Sequence, residues 1–501
     1  MALVTPVDTV PLDQLGRVHF VGIGGAGMSG IARVMLERGV PVSGSDSGSA
    51  GMLSELAALG AEVHTGHAAA HLGAATTVVV SSAIRPSNPE LAEARRRGLR
   101  VLPRAAALAS IMMGRRATAV AGTHGKTTTS AMCAWILSRS GWDPGWFIGG
   151  IPKGLDRGAA IGRTRVRPDR GRAPFVVEGD EYDAVYWHKE PKFLDYVGVG
   201  RDDVAIVTSV EQDHIDIYPD VVSYEAAFRA FVRAVPPGGL LVCDAHDARA
   251  RAVVSEEASS RVAWYALEHD DTGPVTPTWL GAPARVTADG AQPFDVFAGG
   301  MSLGRHVLRV PGLHNVRNAL AALAACTEGL GVGAADGRTH LASFEGVRRR
   351  QDLLGAPDGV RVYDDFAHHP TAVDETLRAL RSRHAEGALW VAFEPRSATA
   401  CRALHQEAYA RAFDAADRVL LAPLGRTNVP AGERLDLERL ASELGDKARA
   451  MPDLEAIVER LVTEARPGDT IALFSNGSFG GLHAMVMGAL AGRAHPVNNA
   501  Q

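Results

Sequence analysis

Residues 117 to 141, ATAVAGTHGKTTTSAMCAWILSRSG, determine the fold class. An apolar run, a glycine loop with Lys126 and a helical pattern follow one another, which is typical of a P-loop domain. Loop N–H groups can surround phosphate, Lys126 can reach the β- and γ-phosphates, and the Thr127 hydroxyl can bind Mg²⁺. Val120 stands where a full Walker loop has glycine, so the loop is shorter. The predicted ATP-binding loop residues are Gly122, Thr123, His124, Gly125, Lys126, Thr127 and Thr128.

A second glycine motif lies near the beginning of the chain. Gly22-Ile-Gly24-Gly-Ala-Gly27 follows an apolar strand, and Asp46 lies at the end of the next strand. Dinucleotide binding is the usual interpretation, but the same geometry can bind any diphosphate at a helix N-terminus. A purely structural turn is the remaining alternative. The motif therefore predicts a βαβ unit and, at that unit, a nucleotide diphosphate.

Strand and helix patterns alternate along most of the chain and predict an α/β protein. A first block of such pairs covers about 110 residues, the P-loop opens a second, and GVRRRQDLLG leads into a third. We therefore predict three domains, at 1–110, 111–347 and 348–501. The Gly- and Arg-rich segment 156–174 shows no period and is predicted to be a mobile surface loop.

Two acidic segments follow apolar strands in the central block. One is Glu178-Gly-Asp180-Glu181-Tyr-Asp183 and the other is Asp213-His214-Ile-Asp216. Carboxylates at strand ends beside a P-loop suit Mg²⁺, which prefers oxygen ligands. A solvated turn is the alternative for each segment taken alone. We predict Thr127, Glu178 and His214 as the metal ligands.

Polar residues of the later chain supply further candidates. The segment from His314 to Asn318 starts a helix, where asparagine is often only a cap. A loop after a strand contains two acids and two histidines, from Asp364 to His369, and a nucleotide or substrate role is favoured for it. Arginines at domain and strand ends either contact anions or are simply solvated. The additional ATP-site candidates are Asn315, Asn318, Arg349, Asp364 and His368.

Composition limits the partners. Hydrophobic residues make up 46% of the 501 residues, and the formal net charge of -5 provides no global basic field for nucleic acid. Four scattered cysteines indicate a reducing compartment, and no run of about 18 apolar residues suggests a membrane span. The first residues contain no apolar signal segment. We expect a cytoplasmic protein that binds small molecules, with no nucleic-acid or membrane partner.

In their order, these motifs resemble the Mur ligase family of peptidoglycan synthesis, from HFVGIGGAGMSG to SNGSFGG. The resemblance implies an N-terminal Rossmann-like domain for a UDP-sugar, a central P-loop ATPase domain and a C-terminal Rossmann-like domain for an amine. It implies ATP and Mg²⁺ as cofactors, and Lys126, Glu178 and His214 as catalytic residues. The implied UDP-sugar residues are Gly22, Gly24, Gly25, Gly27, Asp46, Ser81 and Ser82. The implied amine-site residues are Arg396, Ser475 and Asn476.

The later motifs distinguish between branches of that family. FVVEGDEYDAVYWHKEPKF, VYDDFAHHPTAV, FEPRSAT and FSNGSFGGLH resemble the branch that recycles peptides. This resemblance implies that the chain joins UDP-N-acetylmuramate to the tripeptide L-alanyl-γ-D-glutamyl-meso-diaminopimelate through an acyl phosphate. The alternative is the biosynthetic branch that adds L-alanine, to which the N-terminal glycine loop is closer. No lysine lies between Lys192 and Lys447, which excludes the carbamylated lysine of several sister ligases.

Two hypotheses from other classes remain. GIGGAG and Asp46 are also compatible with a nicotinamide-dependent dehydrogenase, although the P-loop argues against it. A regulatory P-loop NTPase would hydrolyse ATP without dependence on a UDP-sugar. Phosphate release with and without the sugar and the amine distinguishes these hypotheses.

Overall fold

A computed structural model of the chain describes residues 9–48, 50–163, 171–185, 188–426 and 428–493. Three separate parallel or mixed sheets, each covered by helices, follow one another along the chain. This confirms the predicted α/β fold of three domains. Within the described residues, no helix is both long and apolar enough to cross a membrane.

The first sheet is fully parallel and has the order β3-β2-β1-β4-β5. Its strands are β1 Val18–Val21, β2 Val42–Asp46, β3 Glu62–Thr65, β4 Thr77–Val80 and β5 Arg100–Pro103. Its helices are α1 Ala26–Glu37, α2 Ala50–Ala58, α3 Pro89–Arg96 and α4 Arg104–Met112. The strand order reverses between β1 and β4, and the carboxyl ends of strands at such a point form a ligand crevice.

The central sheet has ten strands in the order β17-β16-β15-β14-β13-β12-β6-β9-β7-β8. They are β6 Arg116–Ala121, β7 Gly145–Phe147, β8 Ala159–Ala160, β9 Pro174–Glu178, β12 Val204–Val207, β13 Leu240–Asp244, β14 Arg261–Leu267, β15 Trp279–Pro283, β16 Gln292–Ala298 and β17 Met301–Leu308. A separate hairpin consists of β10 Asp183–Val185 and β11 His188–Pro191. The helices are α5 Lys126–Arg139, α6 Val221–Ala234, α7 Ala248–Glu257, α8 Leu313–Ala324 and α9 Ala334–Leu341. α5 and α8 are packed side by side on the apolar core around Trp135 and Leu320.

The last sheet has the order β18-β19-β23-β20-β21-β22 and is parallel except at the β18–β19 pair. Its strands are β18 Asp352–Gly355, β19 Arg361–Asp365, β20 Leu389–Phe393, β21 Arg418–Leu421, β22 Ala448–Ala450 and β23 Thr470–Phe474. Its helices are α10 Pro370–Arg383, α11 Gln406–Ala412, α12 Leu437–Leu444, α13 Leu454–Glu464 and α14 Leu482–Arg493. β19, β20 and β23 are central, so the loops that follow them share one edge.

The segment 156–174 differs from its prediction. Ala159 and Ala160 form β8, which pairs with β7 and is buried, and β9 begins at Pro174. Residues 164–170 lie outside the described residues. The loop prediction failed at β8 because a two-residue strand of small side chains leaves no periodic signal. Residue 110 lies inside α4, and the domain limits at 110 and 347 stay predictions.

Candidate functional site

The loop between β6 and α5 contains two residues with a backbone conformation that glycine adopts readily and other residues do not. Gly122 and Gly125 have φ angles of 133° and 79°. A Cβ on Gly122 would overlap with the Thr208 hydroxyl, and one on Gly125 would overlap with the Asn318 amide oxygen. Lys126, the first residue of α5, donates to the carbonyl oxygens of Gly122 at 2.5 Å and Thr123 at 3.1 Å. The loop therefore holds its lysine beside the N-terminus of a helix.

Glu178, at the end of β9, faces the first turn of α5. Its Oε1 accepts from the Thr127 hydroxyl at 2.7 Å, and its Oε2 accepts from the backbone N–H of Gly149 at 2.6 Å. Burial and the nearby charge of Asp180 raise the pKa of Glu178. A buried carboxylate with a raised pKa is a group that an added cation would stabilise in its charged form.

Glu181 connects the lysine of the loop to the predicted histidine. Its carboxylate lies 2.9 Å from Lys126 Nζ and 3.1 Å from His214 Nε2. Burial acts to raise the pKa of Glu181, but the charge of Lys126 and the bond to His214 outweigh burial and lower it to about 2. In His214, likewise, burial is outweighed by Glu181 and Asp213, which raise its pKa. His214 therefore pairs with Glu181, a residue absent from the predicted catalytic set, while Thr127 and Glu178 meet directly.

A cavity of about 600 Å³ lies beside the loop, between the central and the last domain. Its polar lining includes Arg317 of α8, which is 3.7 Å from Asp244. Burial raises the pKa of Asp244 to about 7, although Arg317 acts against it. Thr371 and Glu375 of α10 close the cavity from the last domain. The cavity is therefore an interdomain cleft with polar groups on both walls.

Two predicted asparagines lie in the first turns of α8, and one of them lines the cavity. Asn318 is buried, lines the cavity and accepts from the Thr129 hydroxyl at 3.2 Å. Asn315 is also buried and donates to the carbonyl of Pro311 at 3.0 Å. The N-cap of α8 is Gly312, so neither asparagine has the capping role of the alternative interpretation. Both instead connect α8 to its surroundings, and Asn318 reaches the loop.

The arginine nearest the phosphate loop differs from the predicted one. Arg349 is 3.3 Å from Asp364 and donates to the carbonyls of Ser475 and Gly477, so its contacts lie within the last domain. Arg350 instead reaches the Thr127 hydroxyl at 3.4 Å. Three consecutive arginines gave no sequence signal for which one points inward. His368 lies on the domain boundary, with Nε2 3.8 Å from Asp213.

His369, which belongs to the predicted loop from Asp364 to His369, also lies at this boundary beside Glu211, which was not predicted. Glu211 Oε2 is 2.8 Å from His124 Nε2, and its carboxylate accepts from the Thr371 hydroxyl. Burial would raise the pKa of Glu211, but the bond to His124 and the nearby His369 lower it to about 2. The two adjacent histidines in DDFAHHP were the one sequence signal for this contact, and they did not indicate that Glu211 would be the partner.

The first glycine loop has a comparable backbone. Gly22 has a φ of 85°, and the Gly24 N–H donates to Asp46 at 2.9 Å. Arg104, at the start of α4, lies so close to Gly27 that a Cβ there would overlap with its guanidinium, and it is 3.6 Å from Asp180. The predicted residues Gly22, Gly24, Gly25, Gly27, Asp46, Ser81 and Ser82 all follow β1, β2 or β4 at one sheet edge. Arg104 was not predicted, because nothing in its local sequence marks it.

The three predicted amine-site residues lie together after β20 and β23. Arg396 is 3.3 Å from Glu394 and is packed so closely over Gly477 that a Cβ there would overlap with it. The Ser475 hydroxyl donates to Glu394, and the Asn476 amide oxygen is buried without a hydrogen-bond partner. The structure thus brings the three together, with the charge of Arg396 already compensated.

These features define a nucleotide-binding α/β protein of three domains. Three family models match in order: "Mur ligase family, catalytic domain" at residues 17–116, "Mur ligase middle domain" at 189–326 and "Mur ligase, glutamate ligase domain" at 349–477. The chain is 39% identical to a UDP-N-acetylmuramate–L-alanine ligase of Nocardioides, over 98% of this chain and 100% of the relative. It is 42% identical to the enzyme of that name from Acidothermus cellulolyticus, over 94% of each. The chain belongs to the Mur ligase family and is an ATP-dependent ligase that forms an amide bond.

Solved structures agree with this assignment. A murein peptide ligase from Psychrobacter arcticus has a TM-score of 0.68 at 30% identity, covering 95% of this chain and 99% of that one. The UDP-N-acetylmuramate–alanine ligase from Thermotoga maritima has a TM-score of 0.72 at 24% identity, with the same coverage, and supports the fold alone.

The predicted recycling function and its tripeptide partner are wrong. Curated relatives with 39% to 42% identity over nearly the whole chain are L-alanine ligases. The prediction relied on four short motifs, one of which is FEPRSAT. In the structure, the cation of that motif lies beside Glu394, so the motif alone does not indicate a site for a peptide with several carboxylates.

Proposed function

We propose that this chain is a UDP-N-acetylmuramate:L-alanine ligase that acts through an acyl phosphate. The proposal rests on the L-alanine ligases that match this chain over almost its whole length. The cluster of Lys126, Thr127 and Glu178 beside a large interdomain cavity supplies the chemistry that such an enzyme needs. We propose a role for each region below, with the contacts that support it.

ATP would lie with its phosphates on the loop Gly122–Thr128 and its nucleoside in the cavity. The loop N–H groups and the N-terminus of α5 favour anions, and Lys126 adds a full charge. Asn318 lines the cavity directly behind the loop. Arg350 lies close enough to Thr127 to contact a terminal phosphate as well. The nucleotide would thus contact the central and last domains together, and Asn315, Arg349, Asp364 and His368 would support its site.

The residues around Glu178 fit Mg²⁺. The Thr127 hydroxyl and the Glu178 carboxylate, 2.7 Å apart, offer the oxygen ligands that this ion prefers. The raised pKa of Glu178 means that a nearby cation would stabilise its ionised form. Thr127 and Glu178 would hold the ion, and His214 would act from the Glu181 side, as a ligand or by orienting the sugar carboxylate. Bound there, the ion would neutralise charge on the phosphates.

The first domain would bind the UDP-sugar at the β1–β4 reversal. Gly22 to Gly27 provide the backbone approach, Asp46 fixes the loop through Gly24, and Arg104 adds a cation at the N-terminus of α1. Ser81 and Ser82 follow β4 at the same edge. Arg104 also approaches Asp180 of the central domain, so a diphosphate there would point its sugar toward the ATP loop.

The reaction would proceed in two displacements. The lactyl carboxylate oxygen attacks the γ-phosphorus, the bond to the β-γ bridging oxygen breaks, and ADP leaves. The amine of L-alanine then attacks the acyl carbon, loses a proton and expels phosphate. Lys126 stabilises charge on the transferred group, while Glu181 and His214 hold that lysine in place. Catalysis would therefore be mainly positioning and electrostatics.

The amine would bind in the last domain near Arg396, Ser475 and Asn476. Glu394 compensates the charge of Arg396, which leaves little excess cation for a substrate with several carboxylates. A small amino acid needs only one carboxylate partner.

Initial rates test the proposal. Phosphate release with ATP, Mg²⁺ and UDP-N-acetylmuramate is measured with L-alanine and with the tripeptide at matched concentrations. We expect a higher kcat/KM for L-alanine and no sustained release without the UDP-sugar. A kcat/KM for the tripeptide equal to or above that for L-alanine would contradict the assignment.

A further inference from the structure

Three side chains from three distant segments meet at the boundary between the central and last domains. His124 comes from the phosphate loop, Glu211 from the segment after β12, and His369 from the residue before α10. One ligand atom from each lies within 4.8 Å of the other two. Glu211 Oε2 is 2.8 Å from His124 Nε2 and 3.8 Å from His369 Nδ1. This His124–Glu211–His369 cluster is separate from the residues we assign to Mg²⁺.

The cluster has the chemistry of a transition-metal site rather than a magnesium site. Two imidazoles and one carboxylate suit zinc-class ions, whereas Mg²⁺ prefers oxygen ligands alone. Burial lowers the pKa of His369 to about 3, which leaves its ring neutral with a free lone pair. Its Nδ1, the ring nitrogen nearer Glu211 Oε2, accepts only a long bond of 3.4 Å from the Thr371 N–H, so the Nδ1 lone pair is the one that an ion would use.

Two of the three distances between ligand atoms are close to those of a tetrahedral site, and all three are within 4.8 Å. Ligand atoms around tetrahedral zinc lie about 3.3 Å apart, given bonds of about 2.0 Å. The two distances to Glu211 Oε2 lie on either side of this value. The Thr371 hydroxyl lies 3.0 Å from Glu211 Oε1 and 2.8 Å from Oε2 and so orients the carboxylate, as supporting groups do in metal sites. His124 and Glu211 line the cavity, so the fourth position would face it.

We propose that the His124–Glu211–His369 cluster binds a zinc-class divalent cation with three protein ligands and one open position. Such an ion joins the phosphate loop to the last domain and holds the two domains closed over the cavity. The site thereby gives this ligase a metal-dependent control over opening of the cleft, independent of the Mg²⁺ that accompanies ATP.

Metal binding to the full chain tests the proposal without ATP. Zn²⁺ is titrated in competition with a chromophoric chelator, in excess Mg²⁺, and Co²⁺ serves as a spectroscopic probe of tetrahedral geometry. The variants are Glu211→Gln, which keeps the shape of the side chain, and His369→Asn, which keeps a helix cap. His405→Ala is the matched control, because its ring lies 4.6 Å from His369 but is outside the cluster.

We expect roughly 100-fold weaker Zn²⁺ binding in each cluster variant, since the loss of a group that only orients a ligand already lowers metal affinity about 10- to 100-fold. The tetrahedral Co²⁺ spectrum should also disappear in these variants. His405→Ala should keep the Zn²⁺ affinity and the Co²⁺ spectrum of the parent. Zn²⁺ should also slow hydrogen exchange in 370–383 of the parent but not of Glu211→Gln. Zn²⁺ affinity that falls in Glu178→Gln and not in the cluster variants would overturn the proposal, as would unchanged affinity in Glu211→Gln.

Discussion

The two glycine loops of this chain share a backbone plan and differ in the origin of their charge. Each follows a buried parallel strand, begins with a glycine of positive φ, Gly22 or Gly122, and leads into a helix. The second loop contains its own cation, Lys126. The first obtains one from Arg104, on a helix far along the chain. The backbone plan suits anions in both places, and the surrounding charges separate the two roles that we propose.

Each loop is also backed by a buried glutamate with a pKa of about 2. Behind the phosphate loop, Glu181 pairs with Lys126 and His214. Behind the first loop, Glu90 contacts Ser45, and its carboxylate lies within 3.2 Å of His67 and His71. One glutamate therefore pairs with the lysine of the phosphate loop, and the other contacts a serine hydroxyl and two imidazoles. The comparison predicts different consequences when each region is changed.

The largest effect is expected for Lys126→Ala. Removing the cation from the phosphate loop should lower kcat by about 10³-fold, the upper range for loss of one transition-state donor. Phosphate release dependent on UDP-N-acetylmuramate and L-alanine measures it. Lys447→Ala, which removes a lysine bonded to the Phe413 carbonyl, is the control. Turnover of Lys126→Ala near that of the parent would show that the two loops do not differ as proposed.

For the first loop we expect weaker binding of the UDP-sugar without a slower chemical step. Arg104→Ala should raise the KM for UDP-N-acetylmuramate about 10- to 100-fold, the effect of losing a charged hydrogen bond, and leave the KM for ATP unchanged. Steady-state kinetics with each substrate varied separates the two. Arg38→Ala is the control, because Arg38 also crosses to the central domain but donates to the Gly162 carbonyl. An equal rise in both KM values would contradict the division of roles.

The glycines themselves should differ in their tolerance of a side chain. Gly125→Ala places a Cβ at a φ of 79° against Asn318 and should lower the free energy of unfolding by about 1–3 kcal/mol. Gly25→Ala has a φ of -65°, and its Cβ would make only an ordinary contact of 3.7 Å with the Gly22 carbonyl oxygen, so it should change the free energy of unfolding by less than about 0.5 kcal/mol. Urea unfolding followed by circular dichroism measures both. Equal destabilisation by the two would refute the steric explanation.

The smallest effect is a local pH dependence behind the first loop. Burial acts to raise the pKa of Glu90, but the nearby His19 and hydrogen bonds with Ser45 and His67 lower it from 4.5 to about 2. Because the pKa of Glu90 is lower in the folded state, its ionised carboxylate stabilises the fold above pH 4.5. This contribution is lost as the pH falls toward 2.

Glu90→Gln should therefore reduce hydrogen-exchange protection in residues 42–96 by roughly tenfold at neutral pH, and by less in acid. Exchange in the full chain at both pH values measures the difference. Glu93→Gln, on the same helix but only partly buried and paired with Arg96, is the control. A loss of protection in Glu90→Gln that does not shrink in acid would contradict the role of its charge.

Local sequence determined the strands, helices and glycine loops, because these depend on periodicity and backbone freedom over a few residues. The direct Thr127–Glu178 contact was also predictable, since carboxyl ends of neighbouring parallel strands share one edge. Family membership followed from the order of the motifs. The branch did not, because short loop motifs do not show which distant groups compensate their charges, as Glu394 does for Arg396.

Only the tertiary structure decided which charged groups meet. Glu181 reaches Lys126 across 55 residues, and Glu211 reaches Thr371 across 160. It also decided that Arg350, rather than Arg349, faces the phosphate loop. Such pairings depend on how whole domains are packed, and electrostatic interactions act through space without regard to sequence distance. The sequence therefore determined the elements and the class of chemistry, and the packing of three domains decided the partners.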